Sequence, residues 1–169
     1  MRVSERDRRR VDNFNAVKTA FPLKVKGFVA DLIKPIAKKY RVAVSSALGM
    51  HNLDAIVVDS RRTALDCIGE LKRRRLGTAT FLPLDGLKAK AIKTQNRRIA
   101  SDVKLVLDLV SFRKEHQVLA EFLCGSAVYA ETLDRAREVC YRRRETRNKF
   151  LTMKRTFCNP KNNFLEKLL

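Results

Sequence analysis

Tryptophan is absent from this 169-residue sequence, and 9 Phe and 3 Tyr are all the aromatic rings it has. That is thin material for a base-stacking platform. No apolar run reaches the roughly 18 residues of a membrane span, so no membrane partner is expected. The start, MRVSERDRRR, has no apolar core after its charges and does not read as a secretory signal. Cys67, Cys124, Cys140 and Cys158 stand far apart without a C-x-x-C pair. Neither His51 nor His116 lies at ligand spacing from them, so no metal site is expected. Cys67 and Cys140 fall on apolar helix faces, as buried thiols do, and a reducing, intracellular compartment fits such usage. No G-x-x-x-x-G-K-[ST] run is present to cradle a phosphate. Acids are scarce, 18 against 37 Lys plus Arg, giving a net charge of +19.

The chain does have the length and apolar content to fold unaided. At 45% apolar its composition is ordinary for a globular protein, and a chain this long buries roughly 70% of its unfolded surface. One domain, or two small subdomains sharing a core, fits that length. The positive excess favours a polyanionic partner, nucleic acid first.

Residues 1–21 are basic with a thin apolar stripe, Val11, Phe14, Val17 and Phe21, at helical spacing. They read as a helical stub, the end of a coiled coil, stopped by Pro22. Residues 25–32, VKGFVADL, predict a short strand and turn, with Gly27 at a bulge or a close backbone approach. Pro35 is placed to open a helix whose inner face is Tyr40, Ala43, Val44 and Ala47, ended by Gly49. Residues 54–59, DAIVVD, predict a strand buried on both faces. Asp59 or Ser60 then caps a helix with Ala64, Leu65, Ile68 and Leu71 inward. Lys72, Arg73, Arg74 and Arg75 crowd its last turn, and Gly77 ends it. Residues 78–84, TATFLPL, predict a strand, and Pro83 places that end at a sheet edge or an interface.

Residues 88–102 read as a connecting loop, and residues 103–112 as a strand. Val118, Leu119, Phe122 and Leu123 form the apolar face of a helix ended by Gly125. Residues 126–130 predict another strand. Thr132 caps a helix with Leu133, Ala136, Val139 and Cys140 inward, and residues 150–153 predict a last strand.

The second half repeats the first. With DAIVVDSRRTALDCI laid over SAVYAETLDRAREVC, an offset of 72 matches Ala55 to Ala127, Ser60 to Thr132 and Ala64 to Ala136. Each copy follows a helix ending in Gly and precedes a basic helix end. Two related subdomains follow from this, each unable to bury its own sheet alone. Catalysis is not expected. Ser111 and Lys114 satisfy S-x-x-K without its companion motifs, and nothing places Asp108 and Glu115 in a cleft. No cofactor and no small-molecule substrate are expected.

Taken together, these segments resemble the hinge domain of structural maintenance of chromosomes (SMC) proteins, over roughly residues 10–153. The resemblance is carried by Phe21-Pro22, by Val25, Gly27, Val29, Asp31 and Leu32, and by Pro35 with Lys38-Lys39-Tyr40 and Ala43-Val44. It continues through DAIVVDS, through Thr63, Ala64, Asp66, Cys67 and Ile68, and through TFLPLD, whose form is closest to the cohesin type. In the second half Cys124, Gly125, Ser126, Ala127 and Val128, then Ala136, Arg137 and Val139, match.

The resemblance implies an α+β, SMC hinge-like fold of two related subdomains, each with a mixed sheet and packed helices. They are expected at residues 22–87 and 103–153, between the stub 1–21, the loop 88–102 and a divergent tail 154–169. It implies a module that dimerises with another SMC hinge, as hetero- or homodimer, by strand addition at sheet edges. The implied interface is Phe81, Leu82, Pro83, Leu84, Gly125, Ser126, Ala127, Val128 and Leu151. It implies sequence-independent DNA contact through Lys72, Arg73, Arg74, Arg75, Arg97, Arg98, Arg142, Arg143 and Arg144, and a place on chromosomes in the nucleus.

Two departures stand out. No Gly follows Gly125, so the family's closing Gly-rich run is replaced around Met153, Lys154 and Arg155, which predicts dimerisation that is weakened or confined to one of two contacts. The ATPase heads and returning coiled coil are missing, which reads as a fragment, a mis-predicted product or a stand-alone copy. The alternative to a dimerising hinge is a stand-alone basic nucleic-acid-binding protein with a degenerate hinge-like fold.

Overall fold

A computed structural model of the chain describes residues 5–88, 103–125, 127–132, 134–136, 138, 150–151, 157–159 and 162–165. The helices are α1 (Glu5–Ala20), α2 (Val29–Leu32), α3 (Arg41–Leu48), α4 (Met50–Leu53), α5 (Arg61–Arg73) and α6 (Gln117–Cys124). The strands are β1 (Val25–Phe28), β2 (Lys34–Pro35), β3 (Ile56–Val58), β4 (Phe81–Pro83), β5 (Val103–Leu105), β6 (Val110–Ser111), β7 (Val128–Ala130), β8 (Phe150–Leu151), β9 (Phe157–Asn159) and β10 (Asn162–Leu165). This is the α+β class the sequence implies. The chain divides into two compact units, Met1–Leu32 with His51–Lys88, and Ile33–Met50 with Ala89–Leu169. The continuous subdomain expected over 22–87 is therefore interrupted, because residues 33–50 belong to the second unit.

In the first unit β3 is the central strand, antiparallel to β1 and parallel to β4. Ile56, Val57 and Val58 are fully buried, as an apolar run between acids predicts. The register of β1 slips between Val25 and Gly27, the expected bulge. Gly27 has φ of 157°, and a Cβ there would come within 3.4 Å of the Leu32 side chain. The α5 helix begins at Ser60, whose Oγ accepts from the Thr63 N–H at 3.3 Å.

The buried face of α5 is Thr63, Ala64, Cys67 and Leu71, packed with Val17, Val25, Ile56 and Val58. Leu65 and Ile68, expected inward, are exposed. The sequence offers two apolar stripes, and the one with small residues wins because Thr63, Ala64 and Cys67 let the helix lie close to the sheet. The helix also stops at Arg73, before Gly77. Arg75 donates to the Lys72 carbonyl and Leu76 to the Leu71 carbonyl, both at 3.1 Å. These two bonds close a Schellman motif, with Arg75 in the left-handed position at φ 55°.

The first helix, α1, is fastened to this unit by polar as well as apolar contacts. Asn13 is 5% exposed, and its Nδ2 donates to the Thr78 carbonyl at 3.1 Å. Arg10 pairs with Asp54 and lies 5.2 Å from the Phe28 ring centroid. The Phe14 and Phe28 rings sit 4.6 Å apart. Val11, read as part of the apolar stripe, is exposed, whereas Ala16 and Val17 are buried.

In the second unit β7 is central, antiparallel to β5 and parallel to β8, and β9 and β10 extend the sheet beyond β8. Helices α3 and α6 pack together, burying Ala43, Val44, Ala47 and Leu48 from one. From the other they bury Leu119, Ala120, Leu123 and Cys124. Val118 and Phe122, expected on the inner face, are exposed. The strand expected over 103–112 breaks into β5, a 3-10 turn at Val106–Leu109, and β6. The break arises because β6 leaves the β7 sheet to pair with β2. Pro35 lies in β2 rather than opening a helix. It tolerates that place because a two-residue strand asks for no second ladder donor.

The repeat is structural. In both units a central strand takes an antiparallel neighbour on one side and a parallel one on the other. Equivalent hydrogen bonds recur. Val29 N–H donates to Ala55 O at 3.1 Å and Val106 N–H to Ala127 O at 2.9 Å. Ala55 N–H donates to Asn52 O at 3.1 Å and Ala127 N–H to Cys124 O at 3.0 Å. The caps match too, with Thr63 N–H to Ser60 Oγ and Arg135 N–H to Thr132 Oγ1 both at 3.3 Å. The symmetry is not complete, since the helices ending at Gly49 and Gly125 both belong to the second unit.

Candidate dimerisation edges and basic surface

Strand addition requires a row of unpaired backbone groups, so the sheet order decides which strands can offer one. In the first unit the order is β1-β3-β4, leaving β4 at an edge. The Ile56 N–H donates to the Thr80 carbonyl at 2.8 Å. Backbone direction alternates along a strand, so Leu82 also addresses β3, while the Phe81 N–H and C=O and the Pro83 C=O face away. Pro83 contributes no donor to that edge. Phe81, Leu82, Pro83 and Leu84 are all half-buried, and Phe81 also packs against the unit's own core. Beyond the strand, the Asp85 carboxylate accepts from the Arg61 N–H at 3.0 Å, at the N-terminus of α5, where negative charge is favoured.

The second unit distributes its edges differently from the expectation. Val128 lies in β7, which is paired on both sides, and Leu151 lies in β8, also paired on both sides. Ala127 is buried and engaged through both its N–H and its carbonyl. Gly125 closes α6 by donating to the Glu121 carbonyl at 2.9 Å. Ala127 and Val128 are therefore held inside the sheet, and Ser126 lies outside the described residues. The outer strands of this sheet are β5 and β10. β10 falls in the tail that the sequence left unclassified. A usable signal was there, since Pro160-Lys161-Asn162 is a turn-forming run between FCN and NFL.

The basic helix end of α5 is partly neutralised from within. The Glu70 carboxylate accepts from Arg73 at 2.9 and 2.6 Å and from Arg74 at 2.5 Å. The two guanidinium groups hold the Glu70 carboxyl at about 2, against an ordinary value of 4.5. Lys72 and Arg75 are exposed beside them. Arg97, Arg98, Arg142, Arg143 and Arg144 lie outside the described residues.

No group of three His, Cys, Asp or Glu could hold a metal ion among the described residues. Burial pushes the Cys67 thiol up to about 11 and the Cys124 thiol up to about 12, so both stay protonated and inert at neutral pH. No helix among the described residues is long and apolar enough to cross a membrane.

Comparison with known proteins places this geometry. The family model of the SMC proteins Flexible Hinge Domain matches residues 22–140. Structural maintenance of chromosomes protein 1 of Schizosaccharomyces pombe is 32% identical over 141 residues, 83% of this chain and 11% of that protein. Structural maintenance of chromosomes protein 1B of Homo sapiens is 35% identical over 136 residues, 80% of this chain and 11% of that protein. The chain thus spans about a tenth of the length of these relatives. Among solved structures, an asymmetric dimer of the Geobacillus stearothermophilus SMC hinge domain superposes with a TM-score of 0.77 at 26% identity. That match covers 93% of this chain and 65% of the other. The Pyrococcus furiosus Smc hinge domain with an extended coiled coil gives 0.75 at 22% identity, over 98% of this chain and 57% of the other. That second likeness speaks for the fold alone. The chain belongs to the SMC hinge domain family.

Proposed function

We propose that the chain is the dimerisation module of a cohesin-type SMC protein, acting in chromosome organisation and sister-chromatid cohesion on nuclear chromosomes. Its partner is another SMC hinge, identical or different. The observation that carries the reading is the open edge of β4 within the T-F-L-P-L-D run. The outward Phe81 N–H and C=O and Pro83 C=O add a partner strand, and the half-buried Leu82 and Leu84 side chains supply apolar specificity. In the second unit the contact uses β10, one of the two outer strands. β10 is Asn162–Leu165 and contains no Gly, so the close backbone approach that Gly allows is lost, and this contact is the weaker of the two. A matched hinge structure that is itself a dimer supports the reading.

Light scattering on the chain alone and mixed with a second SMC hinge tests it. A dimer is expected, and Leu82→Lys, which puts a charge on the edge strand, weakens it about tenfold while leaving the melting temperature near that of the parent. A monomer in both samples at high concentration overturns the reading.

The same module contacts DNA without regard to sequence. The net charge of +19 supports this, as do the exposed Lys72 and Arg75 at the end of α5. Binding to a random duplex should fall steeply with salt, at roughly 0.9 log units per log unit of salt for each phosphate neutralised. Binding absent at low salt, or indifferent to salt, refutes the contact.

A further inference from the structure

The outer face of α5 carries a feature that neither the packing of the first unit nor the hinge reading uses. Leu65 is 62% exposed and Ile68 36%, and a spacing of three residues makes them neighbours on the helix surface. Arg61 and Lys72 continue the same line at either end, both exposed, and the whole line runs about 16 Å. Gly69 lies beside it. A glycine inside a helix costs about 1 kcal/mol relative to Ala, yet a Cβ at this position would meet nothing within 4 Å. The fold therefore does not require Gly there, and what the missing side chain provides is room for another backbone to come close.

At the repeat offset of 72 the sequence carries Arg137 where Leu65 stands and Tyr141 where Gly69 stands, so the apolar residue and the glycine are particular to the first copy.

We propose that this face docks an amphipathic helix of a partner protein. The helix lays two apolar side chains on Leu65 and Ile68, crosses closely over Gly69, and presents acidic residues to Arg61 and Arg62 at one end and to Lys72 at the other. Charge complementarity selects this occupant. A second copy of the same face brings like charges together, and a nucleic acid gains nothing from two apolar side chains at the centre of its contact.

The test uses a fluorescent helical peptide of roughly 16 residues, with two central leucines and glutamates at both ends, titrated by anisotropy. Binding is expected to weaken at least about tenfold in the Leu65→Ser/Ile68→Ser variant and in Gly69→Leu, and with a peptide whose glutamates are replaced by lysine. The melting temperature should not fall, since these side chains lie outside the core. Equal binding to parent and variants, or no binding by the parent at about 100 μM peptide, overturns the proposal. So does a loss of dimerisation or of duplex binding in the double variant, since the face would then belong to a second hinge or to nucleic acid.

Discussion

Arg75 stands where a helix of this kind asks for glycine. Its φ of 55° is a strained position for a side chain, costing roughly 1–2 kcal/mol, part of which Gly would lose again through its freer unfolded chain. Arg75→Gly should therefore raise stability by about 0.5–1 kcal/mol in denaturant unfolding. It should also lower duplex affinity and make the salt dependence shallower by about one phosphate. A gain in stability with unchanged DNA binding would mean that the arginine is held there for some other purpose. Glu70 makes the opposite test. Its carboxylate holds Arg73 and Arg74, so Glu70→Gln should tighten duplex binding a few-fold at low salt and steepen its salt dependence. With the folded value depressed to about 2 from 4.5, the stabilisation from Glu70 is in place above pH 4.5. It is lost as pH falls toward 2, and an acid titration of stability should be flatter over that window in the variant.

At the scale of elements, the two repeats share their caps. Ser60→Ala should cost about 1 kcal/mol in thermal or denaturant unfolding, because the Thr63 N–H loses its acceptor at the start of α5. The central strand β3 and the edge position of β4 were legible in the sequence. A continuous apolar run between acids has few other solutions, and Pro83 cannot serve an inner ladder. The orientation of α5 was not legible, because Leu65 with Ile68 and Ala64 with Cys67 form rival stripes. Only the sheet decides between them, by admitting the smaller set. The break of residues 103–112 was equally hidden. No Gly or Pro marks it in the sequence, and it comes from the Val106 N–H reaching Ala127 and from β6 pairing with β2. The inner position of β7 and β8 in the second sheet was hidden for a related reason. A strand read one at a time gives no hint of whether it will lie inside a sheet or outside it.

Across the whole molecule, charge is the least balanced quantity. A net charge of +19 on 169 residues sets the surface against itself, and salt relieves such repulsion by screening. Raising salt from about 50 to 500 mM should lift the melting temperature by roughly 3 °C, equivalent to about 1 kcal/mol at this chain length. A short duplex at low salt should do the same by mass action. A melting temperature indifferent to both would mean that the excess charge is spread too widely over the surface to cost the fold stability.

The exchange of residues 33–50 into the second unit also sets an order of events during synthesis. The strands β1, β3 and β4 can assemble once residue 88 has left the ribosome. Helix α3, made earlier, must wait for α6, and at about 5–20 residues per second the interval between Leu48 and Cys124 is roughly 4–15 s. For that time Ala43, Val44, Ala47 and Leu48 have no partner from the unit they belong to. The nascent chain then carries an apolar helix whose partner has yet to be made, a state in which association with another apolar surface competes with folding.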